Sequence, residues 1–120
     1  MRAKGKRILV VDDDQAVLRS TVRVLEAVGY AAVPAASGQE ALELIANGLK
    51  TELVLADFAM PEMTGVELAK AICATHPNLP VILVTGYGDR ETLEEFQEAR
   101  ILRKPYDENG LMKAILAALT

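Results

Sequence analysis

The sequence predicts a doubly wound α/β domain, and two features of its hydropathy pattern support that prediction. Short apolar runs alternate with segments of helical apolar spacing along the whole chain, which predicts strands and helices in strict succession. The runs at 8–11, 53–56 and 81–84 are continuously apolar, as in parallel strands that are buried on both faces. Strict alternation of this kind is typical of a parallel sheet with helices on both sides.

The first strand–helix unit occupies residues 8–28. The apolar run at 8–11 stops at three aspartates, and a helix predicted over 15–28 follows it. Gly29 ends this helix, because glycine is favoured just past a helix C-terminus. The apolar residues at helical spacing are Val17, Val24, Leu25 and Val28. The unit therefore predicts a buried strand and an amphipathic helix.

The second unit begins with a weaker strand at 30–34, which is expected at the sheet edge because it ends in Pro34. Ser37 and Glu40 match the Ser-x-x-Glu capping box, which predicts a helix start. Asn47 and the glycine after it end that helix.

The third unit is a strand at 53–56 that stops at Asp57, followed by a loop at 60–65 and a helix. The apolar stripe of that helix consists of Val66, Ala69, Ile72 and Cys73. Cys73 is thus expected to be a small core residue. His76 and Pro77 break the helix, and His76 is expected to be exposed.

The last two units are shorter. The strand at 81–84 ends at Thr85, and a polar stretch with the apolar anchors Leu93 and Phe96 predicts a short helix. A brief fifth strand at 101–102 precedes a helix that Asp107 can cap. The whole order is (βα)5, in a flavodoxin-like sandwich.

Length and composition limit the classes of function. The 120 residues are expected to form a single domain over 1–120, with 1–6 as a flexible, solvated lead-in. The net charge of -4 and pI of about 5.0 argue against direct nucleic-acid binding. One cysteine fits a reducing compartment, and the absence of a long apolar run excludes a membrane span, so we expect a cytoplasmic location.

Polar residues follow four of the predicted strands, where ligands of open parallel sheets bind. Asp12, Asp13 and Asp14 come after the first strand, and single residues follow the third, fourth and fifth: Asp57, Thr85 and Lys104. Each of these residues could instead have an ordinary structural role, since aspartates cap helices and occupy turns. Asp14 fits the capping role best. Their joint position at strand ends instead predicts a site.

A cluster of carboxylates is costly without a cation. Two carboxylates about 5 Å apart repel by roughly 3 kcal/mol at an effective dielectric near 20. Oxygen-only ligands suit Mg²⁺, Mn²⁺ or Ca²⁺ rather than zinc. The rim is therefore expected to hold a hard divalent cation.

Four ordered motifs resemble the receiver domain of two-component response regulators. They are the residues 8–14, Asp57 with Met60-Pro61-x-Met63-x-Gly65, Val84-Thr85-Gly86-Tyr87, and Leu102-Arg103-Lys104-Pro105-Tyr106. The resemblance extends from about Arg7 to Leu119, and the last two motifs are most similar to receivers attached to hybrid sensor kinases. It implies a sheet of strand order 2-1-3-4-5.

The resemblance also implies residue roles. Asp57 would be the phospho-acceptor, with Thr85 and Lys104 on the phosphoryl oxygens. Asp13 and Asp57 would bind Mg²⁺ directly, Asp12 through water, and Ala59 through its backbone carbonyl, with Mn²⁺ as a possible substitute. The peptide between Lys104 and Pro105 would be cis.

These roles imply a signalling domain rather than an independent enzyme, although it would catalyse its own phosphorylation and dephosphorylation. The phosphoryl donor would be a histidine kinase or a histidine phosphotransfer protein. Phosphorylation would then change the surface that the domain presents to a downstream protein.

The sequence departs from the family pattern at two positions. Ala59 replaces a polar residue that can orient an attacking water, and Ile101 replaces an aromatic that turns inward on activation. The segment between Thr85 and Lys104 is also a few residues short. We therefore expect a phosphorylation signal to travel mainly through Thr85, Tyr87 and the short helix after it.

Three alternative functions fit the sequence less well. A degenerate receiver would act only as a docking module, and the intact set of acidic, hydroxyl and lysine residues argues against it. An aspartyl phosphohydrolase usually has a second aspartate two residues after the nucleophile, where Ala59 stands. A flavodoxin-like electron carrier would need a hydroxyl-rich phosphate loop after the first strand, which is acidic here.

Overall fold

A computed structural model describes residues 5–86 and 100–120, and it confirms the predicted fold class. Five parallel strands form one sheet in the order β2-β1-β3-β4-β5. The strands are β1 (Arg7–Val11), β2 (Ala31–Ala35), β3 (Leu53–Asp57), β4 (Val81–Thr85) and β5 (Ile101–Arg103). Within the described residues the helices are α1 (Gln15–Ala27), α2 (Gly38–Ala46), α3 (Gly65–Thr75) and α4 (Glu108–Leu119). The predicted short helix around Leu93 and Phe96 lies outside the described residues.

Side chains cap each of these helices at its N-terminus. Asp14 accepts hydrogen bonds from two backbone N–H groups of α1, and Asp107 accepts one from Gly110 at 2.8 Å. The Ser37 hydroxyl accepts from the N–H of Glu40, as predicted. The Glu40 carboxylate, however, accepts from the N–H of Ala36 rather than from that of Ser37, so the capping box is incomplete. A complete capping box forms instead at Thr64 and Glu67, a Thr-x-x-Glu signal that the sequence also carries.

The central strands carry two apolar cores, one on each face of the sheet. Alternate residues of β1 and β3 enter opposite cores, so both strands are buried throughout apart from Arg7. Helices α2 and α3 cover one face, and α1 and α4 cover the other. This double burial is the reason for the continuously apolar runs in the sequence.

Edge position explains the weak second strand. β2 lies at one edge, with the exposed Pro34 in register with Val10 of β1. Proline cannot donate a ladder hydrogen bond, so an edge tolerates it best. The strand begins at Ala31, one residue later than predicted.

One residue in each of two predicted helical stripes was wrong. On α1 the predicted Leu25 is buried and Val24 and Val28 pack against the same core, whereas Val17 is 36% exposed. Leu18 and Thr21 complete the buried face. On α3 the core contacts come from Leu68, Ala69 and Ile72 among others, and Cys73 is exposed. In both cases the helix turns its stripe slightly away from the face that apolar spacing alone suggests.

Register brings the strand ends to one rim of the sheet. Asp57 is in register with Val84, and the N–H of Phe58 donates to the carbonyl of Val84 at 2.8 Å. Thr85 is in register with Arg103, and the N–H of Lys104 donates to the carbonyl of Thr85 at 2.8 Å. The predicted site residues at the ends of β3, β4 and β5 are thereby fixed by backbone pairing.

None of the helices in the described part of the chain has the length and hydrophobicity that crossing a lipid bilayer demands.

Candidate functional site

Three carboxylates meet at the carboxyl rim of the sheet. Asp12 follows β1, and Asp57 is the last residue of β3; each is only 8% exposed. Asp13 is exposed beside them. Each of the three offers one carboxylate oxygen, and these oxygens all lie within 4.8 Å of one another. The side chains belong to adjacent strands, which is why residues 45 positions apart in sequence come together.

The three consecutive aspartates have three different environments. Asp14 points its carboxylate at the start of α1, where it accepts from the N–H groups of Ala16 at 3.0 Å and Val17 at 3.2 Å. Asp12 turns inward, and its Oδ1 accepts from the N–H of Asp14 at 2.9 Å. The sequence prediction that Asp14 caps the helix is confirmed, and Asp12 and Asp13 are left at the rim.

Lys104 supplies the positive charge of the site. Its Nζ lies 3.1 Å from Oδ1 of Asp57. The residue stands directly after β5, and a cis peptide bond joins it to Pro105, as the resemblance implied. One ammonium therefore faces a cluster of three carboxylates, and a net negative charge of about two remains.

Thr85 is almost completely buried, with 1% of its surface exposed, at the end of β4. Its hydroxyl donates to the carbonyl of Gly86 at 3.3 Å. The backbone carbonyl of Thr85 accepts a hydrogen bond from the backbone N–H of Lys104. The Thr85 hydroxyl and the Lys104 ammonium therefore stand at the ends of paired strands.

Burial and charge perturb two groups of the site. Burial raises the pKa of Asp12, and the charge of Asp57 acts in the same direction, while the N–H of Asp14 opposes it. Burial by itself would lower the pKa of Lys104. The hydrogen bond and charge of Asp57, together with the charge of Asp12, outweigh that effect and raise it. Burial thus dominates the shift of the Asp12 pKa, and the neighbouring carboxylates dominate that of the Lys104 pKa.

The loop after Asp57 is held by its own backbone. The carbonyl of Phe58 accepts from the N–H of Met60 at 3.2 Å and from that of Gly65 at 2.9 Å. Met60 is buried in the core, Ala59 is exposed, and Glu62 adopts a left-handed φ of 68°. Gly65 leaves no space for a side chain, since a Cβ there would lie 2.8 Å from the carbonyl oxygen of Asp57.

Sequence reasoning missed Thr21 as a neighbour of the site. The Thr21 side chain forms a hydrogen bond with Tyr106, which follows Lys104 and Pro105, and this bond partly offsets the burial that raises the pKa of Tyr106. The same hydrogen bond ties the β5–α4 loop to α1. The available signal was the spacing of Thr21 with Leu18 and Leu25, which places all three on one face of α1.

The donor set fits a hard divalent cation. Asp12, Asp13 and Asp57 offer oxygen alone, and carboxylate oxygen is what Mg²⁺ and Mn²⁺ accept. The buried position of Asp12 and Asp57 adds to this fit, because buried like charges are stabilised by a counter-cation.

Comparison with known proteins shows the family. The family model for the response regulator receiver domain matches residues 8–116. The chain therefore belongs to the response regulator receiver domains.

Individual proteins support the same assignment. The chain is 36% identical over 122 residues to the transcriptional regulatory protein GlrR of Escherichia coli (strain K12), covering 99% of this chain and 27% of that protein. It is 31% identical over 114 residues to sporulation initiation phosphotransferase F of Bacillus subtilis (strain 168), covering 92% and 91%. A receiver domain structure from Clostridium thermocellum superimposes with a TM-score of 0.88 at 29% identity, covering 95% and 94%.

The chain thus spans about a quarter of the length of the E. coli regulator and nearly all of the B. subtilis protein.

Proposed function

We propose that this receiver domain accepts a phosphoryl group on Asp57 from the phosphohistidine of a histidine kinase or a histidine phosphotransfer protein. The observation that carries the proposal is the position of Asp57. Its carboxylate ends a buried strand, lies 3.1 Å from the Lys104 ammonium and shares the rim with two further carboxylates.

The reaction is a transfer between two proteins. A carboxylate oxygen of Asp57 forms a bond to phosphorus while the phosphorus–nitrogen bond of the donor breaks, and the bonding electrons remain on the imidazole. The product on this chain is an acyl phosphate. The donor must be another protein or domain, because the chain's one histidine, His76, follows the C-terminus of α3, at the end of the sheet opposite Asp57.

Lys104 lowers the barrier electrostatically. Negative oxygens of the phosphoryl group oppose the approach of a carboxylate, and a fixed ammonium beside Asp57 stabilises the charge on those oxygens in the transition state. Thr85 lies on the neighbouring strand, and its hydroxyl can donate to a phosphoryl oxygen once that oxygen is present. That new hydrogen bond would draw the loop after Thr85 inward and change the surface.

Asp12, Asp13, Asp57 and the backbone carbonyl of Ala59 would hold Mg²⁺, or Mn²⁺ in its place. When bound, the cation neutralises the acidic rim and the charge of the transferring phosphoryl group. Ala59 also has no polar side chain that could orient a water molecule toward the acyl phosphate. We therefore expect self-dephosphorylation to proceed without help from the side chain at position 59.

A cytoplasmic signalling role completes the proposal. The B. subtilis relative of nearly equal length is named as a phosphotransferase, and the E. coli relative as a transcriptional regulator. Both names fit a domain that receives a phosphoryl group and passes on its effect.

The experiment is incubation with a small acyl phosphate and Mg²⁺, followed by intact-mass measurement. We expect one added phosphoryl group, lost on treatment with hydroxylamine, and none in Asp57→Asn. Lys104→Ala should label more slowly while retaining Mg²⁺ binding. Unlabelled wild-type protein would favour the docking module instead, and labelled Asp57→Asn would mean that another residue is the acceptor.

A further inference from the structure

The junction between β2 and α2, residues 35–38, carries no charged group, yet it touches both sides of the acidic rim. On one side the carbonyl of Ala35 accepts from the N–H of Asp12 at 3.1 Å. On the other side Gly38 lies directly under Met63 of the loop that follows Asp57. The same short segment therefore contacts the two parts of the chain that supply carboxylates to the site.

The Gly38–Met63 contact leaves no space for a Cβ at position 38 unless Met63 shifts. A Cβ built on Gly38 would lie 2.6 Å from the sulfur of Met63, 3.2 Å from its Cγ and 3.4 Å from its Cβ. The sulfur would have to move, and Cγ would have to give by a few tenths of an ångström, so a methyl group at position 38 would displace the Met63 side chain. The φ of Gly38 lies outside the left-handed region, so the constraint at this position comes from packing rather than from backbone conformation.

Movement of Met63 would be passed to the acceptor loop. The N–H of Met63 donates to the carbonyl of Pro61 at 2.7 Å, in a tight turn next to the left-handed Glu62. The same loop is closed on the carbonyl of Phe58, the residue after Asp57. These hydrogen bonds connect the backbone of Met63 to that of Phe58 within one short loop, so a displacement of Met63 can be transmitted toward Asp57.

We infer that the β2–α2 junction is a positioning element for the acceptor site, with Gly38 and Met63 as its contact residues. It sets how far the loop that bears Ala59 stands from Asp12. The inference rests on the proposed function for its kinetic consequence. Its structural consequence, a change of rim geometry, does not depend on phosphorylation.

A purely space-filling role for the Gly38–Met63 contact predicts different behaviour of the variants. If Met63 only fills space, substitutions at either residue should change stability and leave the site of the folded protein intact. If the contact positions the loop, they should change the apparent Mg²⁺ affinity and the labelling rate under conditions where every variant is folded.

The test compares Gly38→Ala, Met63→Leu, Met63→Ala and the double variant Gly38→Ala/Met63→Ala. Ile115→Val, in the core on the other face of the sheet, serves as a control for general loss of stability. Three quantities are measured well below the melting temperature: Mg²⁺ affinity by calorimetric titration, the labelling rate with a saturating acyl phosphate, and amide NMR shifts of residues 57–65 without metal.

We expect Gly38→Ala to slow labelling by at least about fivefold, because misplacement of reacting groups by about 1 Å can cost on the order of a hundredfold. It should also weaken Mg²⁺ binding and shift the loop amides. Met63→Leu conserves volume and should stay within about twofold of wild type. Adding Gly38→Ala to Met63→Ala should have no further effect, because the added methyl group then has space.

Two results would overturn the inference. One is wild-type Mg²⁺ affinity, labelling rate and loop shifts in Gly38→Ala. The other is an equal effect of Gly38→Ala with and without Met63, which would place the cause in α2 itself. Failure of wild-type protein to label at all would overturn the proposed function, and the Mg²⁺ affinities and loop shifts would still decide this inference.

Discussion

Asp13→Asn removes one charge from the acidic rim at almost constant side-chain size, and we expect it to stabilise the metal-free protein. Asp13 lies beside the carboxylates of Asp12 and Asp57, and the Lys104 ammonium pairs with Asp57, so the repulsion between Asp13 and Asp12 is left uncompensated. Across the 4.8 Å limit of the cluster, that repulsion is about 3.5 kcal/mol at an effective dielectric near 20 and about 0.9 kcal/mol in water.

The lower value applies, because Asp13 is exposed. We therefore expect a gain of about 1 kcal/mol in the free energy of unfolding, which corresponds to a rise of roughly 3–5 °C in Tm for a domain of this size.

Saturating Mg²⁺ should reverse the order of stability of the wild-type and Asp13→Asn proteins. A cation that binds the folded state alone stabilises it by about 2.7 kcal/mol at a concentration a hundredfold above its Kd. Wild-type protein should gain stability of that order. Asp13→Asn should gain much less, since an amide oxygen carries no charge to attract the cation. The variant is thus the more stable protein in EDTA and the less stable one in Mg²⁺.

Thermal unfolding followed by circular dichroism would measure both rankings. Ionic strength is held constant with NaCl, because added salt also screens the repulsion. Glu26→Gln, an exposed residue on α1, controls for the loss of one negative charge elsewhere. The electrostatic reasoning is refuted if Asp13→Asn is no more stable than wild type in EDTA, and the metal site is refuted if both proteins respond equally to Mg²⁺.

Two further predictions concern residues outside the acidic cluster. Glu62→Gly should stabilise the protein by about 0.5 kcal/mol, because the strain relieved at a left-handed φ of 68° exceeds the cost of the entropy that glycine adds to the unfolded chain. Urea unfolding would measure this gain in the free energy of unfolding, and a loss of that size would contradict the prediction. Burial raises the pKa of Tyr30, so its neutral phenol contributes stability that is complete below the usual phenol pKa and is lost as the pH rises through the folded value. Tyr30→Phe should therefore lose less stability than wild type between pH 9 and 11 in urea unfolding, and identical slopes would show that Tyr30 plays no part.

The sheet and its rim were predictable because burial on both faces leaves a clear mark on sequence. β3 has no polar residue before Asp57, and β4 has none before Thr85. Parallel strands all end at the same side, so residues at their ends meet whatever their separation in sequence. The proximity of Asp57 and Lys104 follows from that rule.

Helical faces and loop contacts were less accessible. Cys73 and Val17 fit an apolar stripe by spacing, but a rotation of the helix by a fraction of a turn exposes a residue at the stripe's margin. The contact between Gly38 and Met63 joins a helix to a distant loop, and no local pattern encodes it. The predicted signal route through Tyr87 lies outside the described residues and stays a prediction.

The backbone ladder that ends at the rim makes two amides useful reporters of hydrogen exchange. The N–H groups of Phe58 and Lys104 are both bonded at 2.8 Å to carbonyls of β4, one residue past the last residues of β3 and β5. Exchange of the Phe58 amide requires separation of β3 from β4, which opens the central sheet, whereas exchange of the Lys104 amide requires only separation of the edge strand β5 from β4. The two exchange rates therefore distinguish opening of the whole sheet from local opening at its edge.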